Sequence, residues 1–252
     1  MEELYTTWKA IGVAGGDLSF FQDFFVKFYQ AFIEGDRWLQ YLNGVKTTLL
    51  VTALALIVLG VLVAMLRTAH DQQRPGHRNP ILAVLNLICK IYVTVIRGTP
   101  MMVQLLIMGF VIFASSRNFT MIGTLTLGIN SGAYVSEIVR GGLMSVDKGQ
   151  MEAGRSLGLN YMTTMRFIVI PQAVKAILPA LGNEFIILLK DTSLITVIGG
   201  KELLYAAQGI YNRTYEQMFP LIGTAALYLV LVIILSWLLG KLERRLRQSD
   251  RR

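Results

Sequence analysis

Four stretches of this chain, 47–66, 98–116, 118–136 and 217–240, are long, apolar and free of charged residues. Each approaches or exceeds the roughly twenty residues that an α-helix needs to cross the hydrocarbon core of a bilayer. Inside that core every backbone N–H and C=O must be paired within the protein, so lipid-facing runs of this kind fold as helices. Composition points the same way. Hydrophobic residues are 54% of the chain and charged residues 16%, whereas a soluble domain carries about a quarter charged residues. A water-soluble domain this apolar would expose large greasy patches and associate. A disordered chain needs the opposite balance. The expected class is an all-α integral membrane protein.

A fifth apolar run, 167–189, is interrupted by Lys175 and Glu184 and contains Pro171 and Pro179. It still counts as a span, because an ionisable residue inside a membrane segment faces a bundle interior or a water-filled path. The stretch 81–96 is shorter and carries Lys90, and is read as an extension of, or an interfacial lead into, the second span. The Gly98-Thr99-Pro100 sequence breaks that lead-in helix. Five spans result, with six as the alternative.

Basic residues orient the bundle. Arg67, Arg74, Arg78, Lys90 and Arg97 stand against only Asp71 in one connection; Arg140, Lys148, Arg155 and Arg166 occupy another. Lys241, Arg244, Arg245, Arg247, Arg251 and Arg252 close the chain. Five spans put all three groups on one side, which the positive-inside rule makes the cytoplasm. The N-terminus, the Asn118 turn and residues 191–216 then fall outside. The net charge of +8 is thereby a matter of topology, and nucleic acid is not an expected partner. Binding of acidic lipid by the basic tail, 246–252, is a secondary reading.

The chain divides into an N-terminal segment, 1–41, a membrane domain, 42–245, and the basic tail. It opens on Met1-Glu2-Glu3, unlike a secretory signal. Phe20, Phe21, Phe24, Phe25, Phe28, Tyr29 and Phe32 then recur at helical spacing, with Asp23, Lys27 and Gln30 on another face. This predicts a helix lying in the membrane interface or against neighbouring helices, with partner docking as the second reading. Cys89 is a lone cysteine, read as a small buried apolar residue. His70 and His77 share a polar loop without a third ligand type, so no metal is expected.

The connection between the third and fourth spans holds the most specific pattern. Asp147 can cap a helix whose first turn holds Gln150 and Glu152. Ala153 and Gly154 leave a flat surface for close approach, and Gly158 can end the helix in a left-handed conformation before Leu159. Residues 160–167 lead back to the membrane, where Pro171 fits the first turns of the next span. A short helix parallel to the membrane follows, suited to docking a cytoplasmic partner.

Glu152, Ala153, Gly158, Ile168 and Pro171 resemble, at matching spacing, the E-A-A, three residues, G, nine residues, I-x-L-P loop of ABC importer permeases. Gly154 stands for the second alanine and Ile170 for the leucine, and Gly154 costs some helix propensity. Arg97-Gly98-Thr99-Pro100 with Val103-Gln104-Leu105 is similar to the polar amino-acid branch, the histidine, glutamine, glutamate and arginine permeases. So are residues 130–140, the Gly182-Asn183-Glu184-Phe185 segment and Lys190-Asp191-Thr192-Ser193-Leu194. The resemblance spans about residues 40–245. It implies about five transmembrane helices with a cytoplasmic coupling helix, carrying Gln150, Glu152, Ala153, Gly154, Gly158 and Leu159 toward a separate ATPase subunit. It further implies import of amino acids delivered by an extracytoplasmic binding protein, in the inner membrane of a bacterium. One chain offers few helices for a whole path, so a second permease, identical or homologous, is expected.

Moving an amino acid through lipid requires polar groups that replace water. Asn130, Tyr134 and Glu137 share one helical face. Asn130 and Tyr134 either line the path or bond neighbouring helices; Glu137 is assigned first to an ion pair with Arg140. Asn183 and Lys190 share a face of the following span, and Glu184 and Asp191 the adjacent one. Lys190 either holds a carboxylate or snorkels to the interface. Gln104 is a further pathway candidate, and the Arg97–Pro100 turn is read as structural.

The chain carries no catalytic residues by this reading. Gly199-Gly200-Lys201 runs on to Glu202, and Gly240-Lys241 to Leu242, so neither is a phosphate loop. ATP and Mg are expected on the partner ATPase and no cofactor on this chain. An ion-coupled secondary transporter is the alternative, but the paired inverted repeats and broken helices it calls for are not seen. A membrane-embedded enzyme would need a catalytic constellation that is not seen either.

Overall fold

A computed structural model describes residues 1–55, 58–71 and 79–248. Arg74, His77, Arg78, Arg251 and Arg252 lie outside the described residues, as do the side chains of His70, Asp71 and Arg247. Among the described residues all regular structure is helical. The chain runs through α1 (Glu2–Val13), α2 (Phe20–Phe32), α3 (Arg37–Ala55), α4 (Val58–Asp71), α5 (Pro80–Gly98) and α6 (Met101–Ile107). It continues through α7 (Phe119–Met144), α8 (Lys148–Ser156), α9 (Tyr161–Thr164), α10 (Ile170–Asp191), α11 (Leu203–Thr214) and α12 (Met218–Gln248).

The centre of the bundle is α7, 26 residues and so about 39 Å long at 1.5 Å per residue. It packs against α3, α4, α5, α6 and α10. Leu127 of α7 is fully buried with Leu105, Leu188 and Ile195. Small residues set the closest approach, as they do where membrane helices cross. A Cβ on Gly60 of α4 would lie 2.5 Å from the Val135 side chain and 2.7 Å from the Gly132 carbonyl.

The second span differs from the sequence expectation. Asn79 caps α5 by accepting from Ile81 N–H, and Pro80 occupies its first turn. The resulting 19-residue helix is long and apolar enough to cross a membrane, with Lys90 exposed on it. By length and composition it is itself a candidate span. The run 98–116 is no single helix: Thr99 is extended (φ −117°, ψ 144°), as a residue before proline prefers. A shorter helical piece follows, α6 and the π turn Met108–Ile112. Its 12 residues rise only about 18 Å. Lys90 and Arg97 do not disqualify α5, because long basic side chains can carry their charge toward the interface.

Two other stretches, Tyr161–Ile198 and Met218–Leu246, are long and apolar enough to span. The first joins α9 and α10 through a π turn, Met165–Val169, and ends in a 3-10 turn, Thr192–Ile198. The expected span 118–136 extends to Met144, which brings Glu137 and Arg140 into the same helix.

At the end of the bundle remote from α8, Glu202 is 1% exposed. Its carboxylate accepts from Thr196 Oγ1 (2.7 Å), Tyr205 N–H (2.9 Å) and Tyr228 OH (2.5 Å). Thr48 Oγ1 donates to it at 3.5 Å. The network joins α3, the 3-10 turn, α11 and α12, and supplies the donors a buried carboxylate requires.

The N-terminal segment folds as α1 and α2. Ser19 and Gln22 form the capping box that starts α2. Phe24 and Phe28 pack on Phe219 of α12, with ring centroids 4.9 Å and 6.4 Å apart. Phe20 and Phe21 stay exposed. Glu34 ties the segment together, accepting from Tyr5 OH (2.7 Å) and Lys9 Nζ (2.6 Å) and pairing with Arg37 (2.9 Å). Burial alone would raise the Glu34 pKa, but the bonds from Lys9 and Tyr5 and both cations outweigh it, leaving the pKa below the usual carboxylate value.

Candidate coupling surface and polar pathway

The helix α8 begins where expected. Asp147 accepts from Gly149 N–H at 2.6 Å, and Gly158 ends the turn at φ +82°, a conformation that costs glycine nothing. Gln150, Glu152, Ala153, Arg155 and Gly158 are exposed and Leu159 is half-buried. Gln150 Oε1 accepts from Gln172 of α10 at 3.1 Å. Gly154 departs from the expected flat outer surface: it is buried on the inner side of α8. A Cβ there would meet Thr164 Cγ2 at 2.5 Å and Ile168 Cδ1 at 3.2 Å. Gly154 therefore lets α8 close on its own chain, while Glu152 and Ala153 face outward.

Sequence reasoning missed Leu157. It is 81% exposed beside Gly158, and Met162 and Tyr161 are exposed a turn later. Polar residues on α8 and these apolar side chains make a mixed patch suited to a protein partner. Its signal in the sequence was an apolar residue at a helix C-terminus, next to the glycine, with no core to enter.

A second group forms at the α5–α6 break, where the helix end leaves carbonyls without partners. Gln104 Nε2 donates to Ile96 O (2.8 Å), Thr99 O (3.1 Å) and Thr99 Oγ1 (2.8 Å). Its Oε1 accepts from Asn130 Nδ2 at 3.0 Å. Tyr92 OH donates to Ile129 O at 2.5 Å. The Arg97 guanidinium lies 5.1 Å from the centre of the Tyr134 ring, a cation–π distance. Among the described residues Arg97 has no carboxylate partner. Arg97, read from the sequence as part of a structural turn, thus lies beside the polar group.

Glu137 pairs with Arg140 at 3.1 Å, as expected, and also with Arg67 of α4. The Arg67 pair ties α4 to α7 one helical turn beyond Tyr134. Glu184 is buried and accepts from Ser131 Oγ at 3.1 Å, so it faces α7. Asn183 and Lys190 are exposed and Asp191 is half-buried. Among the described residues, no side-chain hydrogen bond or ion pair joins Asn183, Lys190 or Asp191 to the Gln104–Asn130–Tyr134 group. Cys89 is buried, and no group of metal-ligating side chains forms among the described residues.

Comparison with known proteins gives this arrangement its class. Residues 81–248 match the family described as binding-protein-dependent transport system inner membrane component. The glutamine transport system permease protein GlnP of Escherichia coli (strain K12) is 36% identical over 216 residues, covering 82% of this chain and 92% of that one. A putative GlnP of Rickettsia prowazekii is 34% identical, covering 81% of this chain and 92% of its own. The crystal structure of an amino acid ABC transporter with histidines superposes with a TM-score of 0.72 at 40% identity, over 82% of this chain and 94% of that one. An inward-facing MetNI methionine ABC transporter, 18% identical, shares the fold at a TM-score of 0.69 over 85% of this chain and 99% of its own. The chain belongs to the inner membrane components of binding-protein-dependent transport systems, and it is a membrane permease of the ABC importer type.

Proposed function

We propose that this permease imports polar amino acids, using ATP hydrolysed by a separate subunit that docks on α8. The observation that carries the reading is α8 itself. Its polar face and Leu157 are exposed, and Gly154 seats its other side against residues leading into a span. A push on α8 therefore reaches membrane helices directly. The second amide N–H of Asn130, held by Gln104, and the Arg97 guanidinium over Tyr134 offer a donor and a cation suited to a carboxylate. Lys190 and Asp191, at the far end of α10, carry charges opposite to the two ends of a zwitterion. The amino-acid transport named for its relatives supports the same substrate class.

In this reading α8 and the basic connections face the cytoplasm, and the N-terminus and α11 face outward toward a binding protein. The N-terminal segment lies at the outer membrane interface, with Phe20 and Phe21 in lipid. A second permease subunit completes the path across α5 and α6. ATP and Mg stay on the ATPase.

The test is reconstitution of the chain with its ATPase and binding protein in liposomes. Uptake of a polar amino acid should require internal ATP, and Glu152→Lys should abolish uptake and coupling while leaving the protein in the membrane. Wild-type uptake by Glu152→Lys overturns the role of α8. Uptake that persists without ATP and collapses with an ionophore favours an ion-coupled transporter instead.

A further inference from the structure

A cavity of about 610 Å³ opens between α3 and the first half of α7. The two helices meet where Gly128 faces Ala55, a Cβ on Gly128 lying 3.4 Å from the Ala55 carbonyl oxygen. From there they splay toward the end of the bundle remote from α8, leaving a wedge. Its walls include Leu50, Leu54, Met121 and Leu125, all exposed. Thr47, Asn118 and Thr120 stand at its mouth. The volume falls in the range of about 300–1,000 Å³ typical of ligand clefts.

Positive charge gathers around that mouth. Lys46 precedes Thr47, Arg117 precedes Asn118, and Lys201 N–H donates to Thr120 Oγ1 at 2.8 Å. All three cations are exposed, and among the described residues none pairs with a carboxylate. They stand at the opposite end from the basic connections, so the orienting bias that explains those does not explain them. An apolar trough below a cationic mouth suits an alkyl chain that carries an anionic head group.

We infer that this wedge binds an anionic phospholipid, its acyl chain against the leucine walls and its phosphate among Lys46, Arg117 and Lys201. The amphiphile matches both halves of the site: apolar walls closed at Gly128, and unpaired cations beside hydroxyl and amide groups at the mouth. The lipid fills the gap between α3 and α7 and tethers both helices at one end.

The full-length chain in a neutral detergent tests this, with phosphatidylglycerol, phosphatidylcholine or inorganic phosphate added and the unfolding temperature measured. Phosphatidylglycerol at a large excess over its Kd should raise that temperature by about 5 °C or more beyond phosphatidylcholine. The triple variant Lys46→Gln, Arg117→Gln, Lys201→Gln should lose this preference and keep the phosphatidylcholine response. Leu125→Trp, which fills the wedge, should reduce the response to both lipids. Equal responses to the two lipids in the wild type, or a preference surviving in the triple variant, overturn the inference. So does a matching rise with inorganic phosphate, which would need no acyl site. A Leu125→Trp chain that keeps its lipid preference but changes oligomeric state would assign the wedge to a second copy instead.

Discussion

Replacing Gly154 by alanine puts two opposing terms in one methyl group. Alanine at a helical position gains about 1 kcal/mol over glycine. The new Cβ, however, lies 2.5 Å from Thr164 Cγ2 and 3.0 Å from Thr164 Oγ1. Thr164 cannot step aside easily. It is fully buried, β-branched, and its hydroxyl donates to Asn160 O at 3.0 Å. Overpacking of this kind costs about 1–3 kcal/mol, so the clash wins by about 1 kcal/mol. For a chain of this size that lowers the unfolding temperature by about 2–4 °C. Thr164→Ala removes the atoms in the way. The double variant should therefore be more stable than the sum of the single changes, by about 1–2 kcal/mol of coupling. Thermal unfolding of the purified full-length variants, followed by tryptophan fluorescence, gives all four corners of the cycle. ATP-driven uptake should fall with Gly154→Ala and recover with the pair. A Gly154→Ala chain more stable than wild type, or a cycle with no coupling, would refute the packing described for α8.

Four further outcomes follow from particular contacts. Asn130→Leu removes the donor to Gln104 and should change the order of preference among amino acids, with a stability loss on the order of 1 kcal/mol; an unchanged order of uptake makes Asn130 a structural residue. Leu157→Asp should weaken co-purification with the ATPase while leaving the unfolding temperature unchanged, and normal co-purification would remove Leu157 from the docking patch. Glu34 has a lowered pKa, so its contribution is present above the unfolded carboxylate value of about 4.3 and is lost as pH falls through the lower folded value. Limited proteolysis of α1 and α2 should accelerate in that acid window in the wild type and show no such step in Glu34→Gln. In a Cys89→Ala background, cysteines at Ser19 and Ser156 should label from opposite faces of the membrane, and labelling from one face would break the proposed topology.

The local features of the site were legible because local rules write them. Asp147, Gly158 and Pro171 act within a turn or two of their own positions, through caps and fixed backbone angles. The Asn130–Tyr134–Glu137 face follows from helical period alone. Partners distant in sequence were not legible. Arg67 reaches Glu137 across 70 positions, and Arg97 of α5 meets Tyr134 of α7, a different helix. The break at Thr99 sets α5 apart from α6, and hydropathy, which records apolar length, passes over the proline that divides them. Gly154 sits beside alanine in a small-residue pair, and composition does not tell which of the two turns inward. The two positions take opposite sides of α8, and tertiary packing alone makes that choice.

The continuity of α7 has a mechanical consequence. From Phe119 to Met144 it has no proline and no π turn, so it bends little. By contrast, the stretch Tyr161–Ile198 includes a π turn and Pro179, features that let a helix flex. The first ends and the second begins at the loop that carries α8. A displacement of that loop thus meets one stiff rod and one jointed rod. The stiff one behaves as a lever: a 10° tilt about one end carries the other about 7 Å over its 39 Å length. Asn130 and Tyr134 ride near its middle and move by about half as much. The jointed rod can absorb the same displacement near Met165–Val169 and leave Lys190 where it stands.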